Sequence, residues 1–418
     1  MNDLACIFMT GKWRNKLAIT LLVSLLYVKS NAQILTHEDS LSAGLTIKGN
    51  SATAISGYVE IAYKNHLYNN TAVAQLQRAV LFIGHRFSKN ISFFSEWELE
   101  NAKVSSSSNS GEFSMEQCFI KFDLNRMVYI NAGFFTPRIG QINENHLPNT
   151  FNGVNRPIVE QTIIPATWRE VGVAIYGRAR SLPGLNYSLG VMNGLNAQDF
   201  SISEGIRGGR YEGYMASAKN LAITGALLYY YGGWRLQVSS YLGGSVGVDD
   251  STAARLSIQT GTFGTPVFLN EANFQYRNMG FAAKGLLTII QIPDAANINA
   301  TYANNCPQQM IGYYGEVNYD WLYKKYAQDK QFITFIRYEK VDMNSKIPFN
   351  GLENLAYTQD HLIAGITYLP VRGIAIKLDY HNNMTGNFNP AFIVNPSPYL
   401  PNWYRKMNTI NLGLAYSF

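Results

Sequence analysis

Apolar and polar residues alternate in short runs along almost the whole chain. Thr53 to Asn65 puts Ile55, Gly57, Val59, Ile61 and Tyr63 on one face and Ser56, Tyr58, Glu60, Ala62 and Lys64 on the other. In Ile91 to Asn101, Ile91, Phe93, Ser95, Trp97 and Leu99 alternate with Ser92, Phe94, Glu96, Glu98 and Glu100. A period of two belongs to a strand with unlike faces. Sixteen such segments are predicted: 53–65, 76–87, 91–101, 112–123, 127–136, 168–179, 184–193, 222–231, 234–243, 267–277, 279–290, 311–320, 331–340, 361–369, 373–382 and 409–418.

The connections alternate in length. Residues 88–90, 124–126, 180–183, 232–233, Asn278, 321–330 and 370–372 are short, whereas 66–75, 102–111, 137–167, 194–221, 244–266, 291–310, 341–360 and 383–408 are long. A meander then carries its short turns at one end and its long loops at the other, the asymmetry of outer-membrane barrels. A soluble sandwich of sixteen strands would need two cores. No Pro/Gly/Ser-rich linker divides the chain, and Ser105–Ser108 falls inside a connection. Strands that cross hydrocarbon must close, because an unpaired edge has no water to bond. The predicted fold is therefore all-β, a closed antiparallel up-and-down transmembrane barrel of about sixteen strands over 53–418, wide enough for an aqueous channel.

Composition agrees. Only 15% of the 418 residues are charged, against roughly 25% in a soluble domain, while 13% are aromatic. No run of 18 apolar residues follows residue 33, which excludes a bundle of membrane helices. Lys12, Arg14 and Lys16 precede the apolar run Leu17 to Val28 and Ser30-Asn31-Ala32, the pattern of a secretory signal over 1–32. Residues 33–52 are then a short N-terminal periplasmic segment. Cleavage after Ala32 removes four bases and one acid (Asp3), taking the net charge from +6 to +3. Nothing suggests a nucleic-acid partner. Cys118 and Cys306 remain and are read as structural.

Turning the more apolar face outward sends Trp97, Trp234, Tyr313, Tyr319, Tyr338, Tyr380, Tyr416 and Phe418 toward lipid, as interfacial girdles require. The inner face collects nine acids (Glu60, Glu96, Glu98, Glu100, Glu271, Glu316, Asp320, Glu339, Asp379) and six bases (Lys64, Arg235, Arg277, Lys284, Arg337, Lys377). Such charges are tolerable around water and set the field that a passing ion meets. The longest connection, 137–167, contains Arg138, Glu144, His146, Arg156 and Glu160 among four prolines, and Arg169 follows it. Folded inward, it would narrow the lumen and make these residues the constriction, with Arg138, Arg156 and Arg169 as a local basic ring. No histidine is paired locally with a serine, and no metal or nucleotide motif occurs, so neither an enzyme, a cofactor nor a metal site is expected.

The stretch Ala132-Gly133-Phe134-Phe135-Thr136-Pro137-Arg138-Ile139-Gly140, with Ile163-Ile164-Pro165-Ala166-Thr167-Trp168-Arg169-Glu170-Val171-Gly172-Val173 and Ile55-Ser56-Gly57-Tyr58-Val59, resembles the phosphate-selective porin O/P family and related Gram-negative porins. The likeness is clearest over residues 55–180. It implies a sixteen-stranded porin in the outer membrane, commonly a homotrimer, with an inward third loop and basic residues that guide anions. The last strand, Thr409 to Phe418, ends on an aromatic; with Tyr416 and Phe418 it is similar to the strand that such barrels present to the assembly machinery. The acid-rich wall shows no ladder of arginines, so the expected activity is passive diffusion of small hydrophilic solutes or ions rather than phosphate specificity. The alternatives are a hydrophobic-solute transporter and a non-conducting adhesin or assembly barrel.

Overall fold

The computed structural model describes residues 52–102, 111–246, 254–255, 265–323, 330–392 and 404–418; the expected signal segment 1–32, residues 33–51 and Ser105–Ser108 lie outside the described residues. Seventeen strands form one sheet: β1 (Thr53–His66), β2 (Thr71–Ser88), β3 (Ile91–Glu100), β4 (Phe113–Asp123), β5 (Val128–Phe135), β6 (Glu170–Arg178), β7 (Leu185–Asn193), β8 (Leu195–Asn196), β9 (Leu221–Tyr231), β10 (Trp234–Val246), β11 (Pro266–Asn278), β12 (Phe281–Gln291), β13 (Gln309–Asp320), β14 (Gln331–Lys346), β15 (Thr358–Val371), β16 (Ile374–Thr385) and β17 (Lys406–Ser417). Sixteen are long and antiparallel to their neighbours, and β8 is a two-residue addition that runs parallel to the end of β10.

Closure is made by β1 and β17, in register from Tyr58 opposite Ser417 to His66 opposite Thr409. Gly57 and Phe418 exchange two backbone hydrogen bonds, of 3.2 and 3.0 Å, so the C-terminal residue completes the ladder. All sixteen predicted strands are present. Several run longer than the alternation indicated. Residues 66–75 were expected as a long loop, but β2 begins at Thr71 and only 67–70 connect it to β1. The tight turn rests on Asn70 at φ 56°, a conformation that asparagine tolerates, and on a 2.7 Å bond from Thr71 Oγ1 to Asn69 Oδ1. β14 likewise extends to Lys346, so that the next connection is 347–357.

The pleat sorts the side chains. On β12, Leu287 is 46% exposed and its neighbour Leu286 is 4% exposed. The outward faces carry aliphatic residues with aromatics toward both edges of the belt: Trp234 packs on Tyr276 and Tyr319 on Trp321 near the short turns, while Tyr313 lies beside Tyr338 higher up. Tyr313 and Tyr319 share β13 six residues apart, about 20 Å of strand. Trp97 also faces outward but is half-buried against Phe113.

The lumen is not an empty tube. Residues 136–169, between β5 and β6, lie against the inner wall and include the short helix α1 (Ile158–Thr162). Residues 197–220 and the connection that contains α2 (Ala295–Tyr302) cap the long-loop end. A buried apolar cluster joins Val159, Ile163, Ile164 and Trp168 to Leu195 of β8, to Phe200 and Ile206 of the cap and to Ile292, Ile298 and Met310. Gly312 on β13 makes room for α1, since a Cβ there would stand 2.8 Å from Val159 and 2.9 Å from Ile163. A sixteen-strand circumference leaves a volume that side chains alone cannot fill; here the connections fill much of it.

An outward charge at mid-strand should be costly. Leu287→Arg is expected to destabilise the barrel by about 2–4 kcal/mol, read from denaturant unfolding in lipid vesicles; wild-type stability for this variant would mean that the exposed face of β12 does not meet hydrocarbon.

Candidate functional site: the loop and wall interface in the lumen

Residues 137–168 enter and leave the lumen through a pinned neck. Asn143 donates to Pro137 O (2.8 Å) and Trp168 O (3.1 Å) and accepts from Trp168 N at 2.6 Å. Glu160, on α1, then organises the inner part. Its carboxylate accepts from the backbone N–H groups of Gln141 (2.8 Å) and Ile142 (2.7 Å) and from Tyr314 Oη (2.7 Å) on the wall.

Wall charges complete the attachment. Arg337 donates to Asn152 O (3.1 Å) and Asn155 O (3.3 Å) while paired with Glu316 (3.2 Å) and Glu339 (2.8 Å). Lys377 donates to Phe151 O and Gly153 O, both at 2.9 Å, with its ammonium 3.8 Å from the centre of the Phe151 ring. Asp379 accepts from Val154 N (2.6 Å), Glu339 from Val159 N (3.0 Å) and Glu316 from Asn152 Nδ2 (2.8 Å). Gly153 sits at φ +79° with Asp379 and Arg337 within 4 Å of where a Cβ would stand, a backbone state that suits glycine. Cations therefore bind loop carbonyls and carboxylates bind loop N–H groups, which gives the buried charges the partners that burial demands.

The six residues expected at the constriction all lie in or beside this segment, each with its own partner. Arg138 pairs with Glu144 at 2.6 Å and stacks 5.0 Å from the Tyr176 ring. His146 contacts Glu96 at 2.8 Å, and Glu96 also accepts from Gln117 at 2.7 Å. Arg156 reaches Tyr58 Oη at 3.4 Å and lies in the field of Glu98 and Glu96. Arg169 pairs with Glu116 (2.9 Å) and Glu212 (3.3 Å). Arg138 and Arg169 thus pair with separate carboxylates and Arg156 with the Tyr58 hydroxyl, instead of gathering in a basic ring, because each finds a different partner nearby.

The expected wall residues face inward, but most are covered. Glu60, Glu98 and Glu100 surround Arg78 at 2.9, 3.2 and 3.3 Å, and the Glu100 side chain stays 39% exposed. Lys64 is half-buried near them. Arg235 donates to Asn273 (3.0 Å) and Gln237 (2.6 Å), and Lys284 stands 3.6 Å from Glu316. Arg277 is exposed and makes no ion pair among the described residues. Tyr416 and Phe418 face outward on the closing strand.

Sequence reasoning passed over Arg78, Glu116 and the cap arginines. Arg78 shares its face with Val80 and Phe82, so the strand did not read as polar on that side. Arg207 donates to Gln161 O (3.3 Å) and Ala166 O (3.2 Å), and Arg210 to Pro165 O (3.1 Å) and Thr167 O (3.0 Å). They clamp the segment from residues that carry no periodic signal. Burial, with Arg207 alongside, pulls Arg210 down to about 10, and it stays charged at neutral pH.

No family model matches the chain. An uncharacterized protein of Aquifex aeolicus (strain VF5) is 28% identical over 334 residues, 78% of this chain and 74% of that protein. Among solved structures, the anion-selective porin from Comamonas acidovorans superposes with a TM-score of 0.51 at 10% identity, covering 88% of this chain and 99% of the porin. Salmonella typhi OmpF in complex with daunomycin gives 0.50 at 12% identity, with 88% and 97% covered. In-vitro folded OmpT, an outer membrane protein of Vibrio cholerae, gives 0.50 at 10%, with 93% and 100% covered. At this identity the likeness is one of fold: the chain has the barrel architecture of outer-membrane porins.

Arg337→Ala should leave Glu339 buried without its cation and Glu316 with Lys284 alone, a loss of about 3–5 kcal/mol, and should open Arg138 and Arg156 to trypsin in the folded barrel. Unfolding curves and a digestion time course check it; a variant as stable and as resistant as wild type would show that this attachment does not hold the segment.

Proposed function

We propose that the chain is an outer-membrane channel through which small hydrophilic solutes or ions diffuse passively. The observation that carries this reading is a closed sixteen-strand wall, apolar outside and charged inside, with a long connection fixed within its lumen. Wide barrels of this kind serve as aqueous passages, and an inward segment narrows them without closing the backbone ladder. The porin-like fold supports the same reading and the same membrane.

Charge compensation supports weak selectivity. Arg78 stands among three carboxylates, Arg337 between two, and Arg138 and Arg169 are paired with acids. A phosphate path lined by free guanidinium groups would need cations that these pairs already occupy. For assembly, the outer faces of β1–β4 offer a surface to another copy. An apolar groove of 380 Å³ lies there between Val59, Ala79, Leu81, Trp97, Phe113 and Phe418, which fits the homotrimer that the sequence resemblance implies.

Purified protein in planar bilayers is expected to give stepwise conductance with a reversal potential close to zero in a KCl gradient. Freeing residues 151–154 through Lys377→Met with Asn152→Ala should raise the conductance and its noise. Correctly folded protein that passes no current would reject the channel; a large reversal potential of either sign would reject weak selectivity.

A further inference from the structure

At the short-turn end, below the inward segment, the lumen opens into a cavity of 610 Å³, within the roughly 300–1,000 Å³ of small-molecule sites. Residues 141–152 form one side of it and the lower halves of β11–β15 the other. Its charges cancel: Arg277 and Lys284 stand against Glu316 and Asp320. Three of the four are already engaged. Glu316 holds Asn152 and Arg337, Lys284 is beside Glu316, and Asp320 accepts from Leu322 N (3.0 Å) and Phe332 N (3.1 Å) of the adjoining turn.

The remaining polar surface is uncharged. Eight carboxamide side chains line the cavity; Gln141, Asn149, Asn152, Gln275, Asn278 and Asn318 already donate within the protein, whereas Asn145 and Gln331 keep a donor and an acceptor together, the combination that matches a hydroxyl group. Two lining atoms have no partner among the described residues although buried: Thr367 Oγ1, on a residue 2% exposed, and Asn149 Oδ1. A buried polar atom left without a bond costs free energy that a hydroxyl group entering the cavity would recover. Asn145 adds an exposed amide at the same wall.

We infer that this cavity is a binding vestibule for a small neutral polyhydroxylated solute of the saccharide class, held by carboxamides and the Thr367 hydroxyl. The inference rests on the diffusion reading above and names a solute class for it. Uncharged donors and acceptors discriminate hydroxyl groups from apolar analogues, which would leave them unbonded.

Maltose is the probe. It is titrated calorimetrically into the full-length protein in detergent micelles and added to the short-turn side of single channels in planar bilayers. A saturable heat and a one-sided, concentration-dependent fall in current are expected. Thr367→Val and the exposed Asn145→Leu should each weaken both by roughly tenfold, whereas Arg277→Gln should leave maltose binding as it is. Asn145→Leu retains the test if the buried variant fails to fold. Inorganic phosphate and gluconate are the comparison ligands. Binding of these in preference to maltose, lost in Arg277→Gln, would assign the cavity to anions and overturn the inference. So would a conducting channel that gives neither heat nor block with maltose. Maltose heat from protein that passes no current would uphold the vestibule and reject the diffusion reading alone.

Discussion

Every backbone N–H and C=O that meets hydrocarbon must find its partner within the protein, and the rest of this structure follows from that constraint. A strand edge facing lipid would forfeit several kcal/mol per unpaired group, so β1 has to meet β17, down to the two bonds between Gly57 and Phe418. Closure makes an inside. The pleat then sends alternate residues to media of opposite character, and the same residue types that are excluded from one face become admissible on the other. Leu287 and Leu286 are neighbours in sequence but belong to different environments.

Closure also creates a second problem. Charges on a wide inner wall are comfortable only while water reaches them, and the segment 136–169 removes much of that water. Desolvating an ion costs several kcal/mol even after relaxation. The wall meets this by using the segment's own backbone. Lys377 and Arg337 receive carbonyls, while Asp379 and Glu339 receive N–H groups. A connection with little regular structure, only the single turn of α1, has backbone groups that need partners, and the charges need partners too. Each solves the other's difficulty. The attachment is strong for that reason, and an apolar wall could not have held an irregular segment in this way.

This division explains what the sequence disclosed. Period-two alternation is imposed by the lipid on every strand, so all sixteen strands were legible, including 184–193 and 222–231, where the pattern is faint. Inward orientation of Glu60, Glu96 and Arg337 followed from parity alone. Boundaries were less visible where both faces are small or polar: Thr71 to Gln75 continues β2 above the lipid, where no outer medium enforces alternation. Partner choice was not legible at all. Arg138 in sequence is a free cation, and only the fold brings Glu144 against it; Arg207 and Arg210 read as loop residues, yet they close on carbonyls more than forty positions away. Contacts between side chains and irregular backbone carry no period.

A barrel with compensated charges has few groups left over, and those few define its character toward solutes. Among the wall residues, Glu100 remains open to water beside Arg78, and Arg277, near the short turns, is exposed and in no ion pair among the described residues. The fields of the engaged pairs fall away over short distances because opposite charges adjoin, so an ion in the lumen feels mainly these remaining groups and the dipoles of amides. Where carboxamides outnumber uncommitted charges, as in the cavity below the inward segment, the wall offers hydrogen bonds more than net charge. The same economy that keeps the wall folded, with each ion answered by a neighbour, makes the interior polar without making it strongly charged.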